Sequence, residues 1–235
     1  MHLIEMSDYT LAPTGSGNGI RDFYFALAPG DVCAIEAQNP DDGHEFLRAL
    51  ATLSYPVTGA LRWNGRRVRL KSYRALLGYK KRIGYIAPDA ALISNLTVRQ
   101  NILLHRYYVE NDLGIDLDDR LAAMCDTFGI SHKMDRRPAD LNSMERQMAI
   151  VIREIGKKPD ILLLDRPEDF IGHAKFEVLV ELFSQWIAQG KPVVFESYDR
   201  RLVRRFATRK VLITNGSLTT VEIRKSPVAG EQTEI

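Results

Sequence analysis

Apolar and polar residues alternate strand-fashion at both ends of this chain and recur at helical spacing through its middle. Residues 3–11 read as a first strand and 23–28 as a second, joined by a glycine-rich turn at 14–20. No helix follows that turn, so its three glycines among Ser and Asn read as a hairpin loop rather than a phosphate loop. Residues 31–37 form an apolar strand and 38–43 a tight loop. The helix after it carries Phe46, Leu47, Leu50 and Leu53 on one face. Short strands at 60–63 and 68–70 turn at Asn64-Gly65, the strongest two-residue hairpin signal. A helix at 73–80, a strand at 83–86 and a mostly helical stretch over 98–156 follow. Then come an apolar strand at 161–165, a helix at 176–189, a strand at 193–197 and a strand pair within 210–221. From 225 the tail is polar, with Pro and Gly, and is expected to be disordered.

Strands alternating with helices imply an α/β chain with a mainly parallel sheet, an antiparallel N-terminal β part and a helical insertion. Composition agrees: 235 residues, 45% hydrophobic and 26% charged, suit one large domain with one insertion. A net charge of +2 gives no excess of the kind that nucleic-acid binding needs. Cys33 and Cys125 have no metal or redox spacing and read as buried small hydrophobes in a reducing cytoplasm. The N-terminus lacks the build of a signal peptide. No apolar run approaches the ~18 residues of a membrane span, so any membrane role is expected to come through a partner.

The candidate chemistry centres on the strand, loop and helix of residues 31–53, the place for a phosphate-binding loop. That chemistry needs Gly-Lys-Ser/Thr at the helix start, because Lys neutralises phosphate charge and the hydroxyl holds Mg²⁺. Three ordered phrases make the comparison specific: RIGYIAPDAALISNLTVRQNILL (82–104), LNSMERQMAIVIREIGKKPDILLLDRP (141–167) and VVFESYDRRLVRRFATRKVLITNGSL (193–218). In order and spacing they resemble the Q-loop, the signature helix with the Walker B strand, and the switch segment of ABC transporter ATPases. The resemblance covers roughly residues 1–223. It implies a P-loop NTPase-like core over 1–224, with a helical subdomain at about 90–157.

The departures from that family are consistent with one another. Where the resemblance implies Gly-Lys-Ser-Thr, this chain has Asp42, Gly43, His44 and Glu45, preceded by Asp41. Where it implies a base-stacking aromatic near 13, a glutamine at 88, a catalytic glutamate at 166, an aspartate at 172 and a histidine at 198, the chain has Pro13, Pro88, Arg166, Gly172 and Tyr198. The Leu-Ser-Gly-Gly-Gln signature is replaced by Leu141, Asn142, Ser143, Met144 and Glu145. Of the catalytic positions Asp165 alone is kept. A gapped alignment would put His44 at the lysine position, but it restores no other residue.

Each loss has a physical meaning. Pro88 offers no amide to Mg²⁺ or water, Arg166 puts a cation where a general base belongs, and Tyr198 supplies no imidazole. Asp42 with Glu45, and Asn142 with Glu145, have capping-box spacing, so each helix N-terminus is expected to satisfy its own donors. Carboxylates at 41, 42 and 45 would also repel phosphate by roughly 1 kcal/mol per pair at ~4 Å in water. No metal and no cofactor are therefore expected, with ATP and Mg²⁺ only if the site is a divergent working one. Asp165 reads as a buried strand-end carboxylate paired with a neighbouring base, against the alternative of a metal ligand.

The expected role is a pseudo-ATPase subunit, structural or regulatory, at the cytoplasmic face of a membrane transport complex. Expected partners are a transmembrane permease and a second cassette, as homodimer or heterodimer, and not nucleic acid. The alternatives are an active divergent transport ATPase and a soluble binding module that kept the fold. Two structural expectations accompany this reading. Strand 161–165 should lie beside strand 31–37, bringing Arg166 to Asp41, Asp42 or Glu45. Ile102 and Leu103 should line the groove that docks the permease. Arg66 to Arg82 carries eight Lys/Arg and no acid, and Arg200 to Lys210 carries six. They read as solvated faces, with a headgroup-facing or weak nucleic-acid surface as the functional alternatives.

Overall fold

Two sheets clasp one helix. The computed structural model describes residues 1–169 and 173–223, so Gly172 and the tail beyond 223 lie outside the described residues. The first sheet is antiparallel, with β2 (Ile20–Leu27), β1 (Ile4–Leu11), β4 (Thr58–Trp63) and β5 (Arg66–Arg67) side by side. In β1 the buried residues are Ile4, Met6, Tyr9 and Leu11. The alternation slips by one at Asp8, where φ is +50° and the register with β2 and β4 shifts, as at a bulge. Asn64 and Gly65 turn the second hairpin with φ of +47° and +74°, the paired left-handed values that a type I′ turn requires.

The second sheet runs β10 (Ser217–Glu222), β9 (Arg209–Thr214), β3 (Val32–Ala37), β8 (Val193–Glu196), β7 (Ile161–Asp165) and β6 (Ile83–Ile86). All neighbours are parallel except β9 and β10. The mainly parallel α/β core with an antiparallel N-terminal sheet is thus the architecture expected from the sequence. One adjacency differs: β8 lies between β3 and β7, so the strand ending at Asp165 is not the neighbour of the strand that feeds the loop at 38–39. Sequence order carries no information about which of several parallel strands is inserted between two others.

Helix α1 (Pro40–Leu50) fills the space between the sheets, with Phe46, Leu47 and Leu50 fully buried. Phe46 packs edge-on against Phe25 and Phe23 at 5.1 and 5.9 Å between ring centroids. α2 (Tyr73–Lys80) leads into β6. Between β6 and β7 the chain forms α3 (Val98–Glu110), α4 (Asp119–Phe128) and α5 (Ser143–Gly156), packed against one another in one apolar cluster. Ile102 and Leu103 are 3% and 0% exposed within it, so they belong to the core and not to a docking groove. α6 (His173–Ala188) and α7 (Arg200–Phe206) flank β8 in sequence. The second carries two arginine pairs, Arg200-Arg201 and Arg204-Arg205, and is seated by Leu202 and Phe206.

Candidate functional site

α1 starts at Pro40, two residues beyond the strand end region at Gln38, rather than at Asp42. Its N-cap is Asn39, whose side chain accepts the Asp41 N–H at 3.0 Å, with Pro at the first helical position where no N–H is wanted. The expected capping box between Asp42 and Glu45 is therefore absent, because both lie inside the helix. Their carboxylates, with that of Asp41, serve other partners.

Asp41 and Asp42 hold the glycine-rich loop between β1 and β2. Asp41 Oδ2 accepts from the Ser16 N–H at 2.7 Å and from its hydroxyl at 2.8 Å. Those two bonds lower its pKa, the backbone bond most. Asp42, 3% exposed, accepts from the Gly19 N–H at 2.9 Å and the Asn18 N–H at 3.2 Å. Asn39 donates to the Ser16 carbonyl at 2.6 Å. The loop approaches so closely that a Cβ on Gly17 would lie 2.5 Å from Asp42 Oδ1. The amides of this hairpin loop thus bind the carboxylates at the start of α1, tying the first sheet to the helix. Glu45 turns away, bonding the Ser54 hydroxyl and lying 3.7 Å from Arg48.

Gly43 faces β8. A Cβ there would lie 2.9 Å from both carboxylate oxygens of Glu196, the last residue of that strand. Glu196 is buried beside Asp165, its cross-strand partner, and burial with that like charge pushes its pKa up to about 7. At the next residue, His44 Nδ1 bonds Asp165 Oδ2, raising the imidazole pKa. The same oxygen accepts from Tyr85 at 3.0 Å. Asp165 is fully buried, and its other oxygen faces Arg166 Nε at 3.5 Å. The carboxylate is paired with a base, as read from the sequence, but the nearer base is His44.

Arg166 does not bridge to the carboxylates of α1. Its ion pairs run to Asp165 and to Asp169, at 3.7 Å, and it donates to the Tyr198 hydroxyl at 3.3 Å. Among the described residues it makes no ion pair with Asp41, Asp42 or Glu45, since the intervening β8 and Glu196 separate the two ends. Arg166 also has φ of +44°, so its side chain leaves the strand in a new direction. Pro88 follows buried Ala87 just past β6, and half of Tyr198 is exposed.

The second helix terminus behaves as its spacing predicts. Asn142 accepts the Glu145 N–H at 2.8 Å and Glu145 accepts the Asn142 N–H at 2.9 Å, a complete capping box, while Ser143 and Met144 stay exposed. Lys133 lies 3.6 Å from Glu145.

Sequence reasoning missed Glu196 and Tyr85; it read the glycine-rich loop correctly as a hairpin turn but not its bonds to Asp41 and Asp42. For Glu196 a signal existed: ILLLD and VVFE are both apolar runs ending in a carboxylate, and parallel neighbours ending alike place those acids side by side. Nothing in the sequence marked Tyr85, which alternates with apolar residues on a buried strand.

The family description "ABC transporter" matches residues 25–169, more than half of the chain. The cell division ATP-binding protein FtsE of Escherichia coli strain K12 is 23% identical over 216 residues, covering 92% of this chain and 97% of that protein. The molybdenum import ATP-binding protein ModC of Brucella melitensis is 30% identical over 141 residues, 60% of this chain and 38% of that protein. A dimeric ATP-binding cassette in a post-hydrolysis state, bound to ADP and Pi, superposes with a TM-score of 0.79 at 18% identity, over 95% of this chain and 100% of that one. A subunit of a cbiONQ transporter complex from Clostridium perfringens gives 0.69 at 15% identity, over 93% and 87%. These two likenesses are of fold, whereas the family match rests on sequence. The chain belongs to the ABC transporter family, as one of its ATP-binding-cassette subunits.

Proposed function

We propose that this cassette is a pseudo-ATPase: it neither binds nor hydrolyses ATP and acts structurally or as a regulator at the cytoplasmic side of a membrane transport complex. The observation that carries the reading is the replacement of the phosphate ligands at the start of α1 by residues that are committed to other partners in the fold. A nucleotide's phosphates need a lysine, a hydroxyl for Mg²⁺ and free backbone N–H groups. Position 43 carries no side chain and faces the Glu196 carboxylate at contact distance. His44 is committed to Asp165, and the Asp41 and Asp42 carboxylates to the amides of the β1–β2 loop. The residues present do not fit a triphosphate.

The helical part between β6 and β7 serves, in this reading, as the subdomain that signals to partners. A hollow of about 340 Å³ between it and the core, lined by Arg48, Leu53, Lys80, Tyr85, Asp89 and Arg153, is the surface we assign to the permease in place of Ile102 and Leu103. In cassettes that pair head to tail, both composite sites would contain a filled terminus, one from α1 and one from α5. That favours a homodimer or a non-hydrolytic heterodimer.

The second reading, a divergent active ATPase, draws on the relatives, both named as ATP-binding proteins. A phosphate-release assay on the purified chain separates the two. A pseudo-ATPase gives the same background rate as Asp165→Asn, whereas turnover that disappears in Asp165→Asn supports the active enzyme.

A further inference from the structure

A groove of about 840 Å³ opens on the antiparallel sheet, away from the filled nucleotide site. Residues 55–61 form one wall and 67–72 the other. The first wall is a strand edge. β5 pairs with β4 only at Arg62 and Trp63, and the Val68 N–H to the Leu61 carbonyl, at 2.8 Å, is the last bond across. Beyond it, among the described residues, no strand covers Thr58–Ala60 on that side, and Thr58 and Gly59 are exposed. Unpaired edges are templates for another strand, and folded proteins ordinarily cover or blunt them.

The opposite wall is patterned. Arg67, Arg69 and Lys71 are exposed while Val68 is buried and Leu70 half-buried between them, and past Arg67 the chain leaves the strand and turns, the Ser72 N–H bonding the Arg69 carbonyl at 3.0 Å. Neighbouring Arg62 and Arg82 are matched by Glu5 and Asp160, but Arg66, Arg67, Arg69, Lys71 and Arg74 have no ion pair among the described residues. Tyr55, Val57 and Tyr73 at the rim are 58%, 65% and 69% exposed, which offers apolar contact beside the charge.

We propose that this groove docks an extended, acidic segment of a partner protein, added as a strand to the open edge of β4 with its carboxylates facing the unpaired cations Arg67, Arg69 and Lys71. An anionic headgroup would use the cations but not the edge. An extended peptide uses both, main-chain bonds supplying affinity and alternate side chains selectivity. The proposal is independent of whether the chain hydrolyses ATP.

The test uses the full chain and a fluorescent peptide of about ten residues alternating Glu with Val. Anisotropy should show saturable binding that weakens at least about tenfold in Arg67→Glu/Arg69→Glu, in Lys71→Ala to a smaller degree, and with a peptide N-methylated at alternate backbone amides. Circular dichroism and thermal melting confirm that each variant is folded. N-methylation attacks only the strand pairing, and the charge reversal only the electrostatics. Equal binding of the N-methylated peptide would overturn strand addition. Unchanged binding by the folded double variant, no saturation by about 1 mM, or displacement of the peptide by phosphatidylglycerol vesicles that bind through the same arginines would overturn the peptide as occupant.

Discussion

Glu196 and His44 change the chemistry of the site most. A buried glutamate whose pKa is pushed up to about 7 keeps its proton in the folded state while the unfolded chain gives it up near 4.5. Between those values the native state binds more protons, so stability falls as pH rises, by up to about 3 kcal/mol for this group. The raised pKa of His44 acts with the same sign at higher pH: its stabilisation is present below the ordinary 6.5 and is lost as pH climbs through the folded value. Glu196→Gln should therefore flatten the decline between pH 4.5 and 7 and make the protein more stable at pH 8. Urea melts across that range check it, and an unchanged slope would show that Glu196 does not carry the proton. His44→Ala leaves fully buried Asp165 with Tyr85 and Arg166 only. The expected loss is about 3 kcal/mol at pH 6, toward the lower end for breaking a buried pair because two partners remain. An effect under about 1 kcal/mol in the same melts would mean the pair contributes as an exposed one does.

At the level of elements, α1 and the loop it holds act as a unit. Restoring Gly43→Lys with His44→Ser should not create a nucleotide site, since the new side chain at 43 meets Glu196 and the exchange at 44 strips Asp165 of its imidazole. The double variant is expected to melt lower than the parent and to gain no ATP binding; a thermal shift upward on adding Mg-ATP would contradict this. The capping box of α5 is a simpler case: Asn142→Ala should cost about 1 kcal/mol, read from denaturant midpoints. These two helix starts also show what the sequence discloses. Asn142 and Glu145 sit at the true start of α5, so local spacing sufficed. Asp42 and Glu45 have the same spacing, yet Asn39 and Pro40 start the helix earlier, and cap and proline chemistry outweighed the carboxylate pattern. The strands were legible almost throughout because each carries a local mark, alternation in β1 and an unbroken apolar run in β7 and β8. The ion pair expected at Arg166 was not, because it depended on which strand lies between β3 and β7. Likewise Ile102 and Leu103 are apolar on either reading, and only packing shows that they face the core.

For the whole molecule, the ABC-cassette fold is retained, and on the proposed pseudo-ATPase reading its surfaces matter more than its cradle. Leu53, 42% exposed in the hollow assigned to the permease, is the residue to charge: Leu53→Asp should leave the melting temperature within about 2 °C and abolish co-purification with the membrane partner, whereas Ile102→Asp should unfold the chain. Retained co-purification by folded Leu53→Asp would move the interface elsewhere. The central claim concerns the cradle itself, and isothermal titration of the purified chain with Mg-ATP tests it most directly. No saturable heat is expected up to about 1 mM, because the lysine and hydroxyl are missing, position 43 faces the Glu196 carboxylate and His44 is committed to Asp165. A dissociation constant below ~0.1 mM, about −5.5 kcal/mol, would contradict the account.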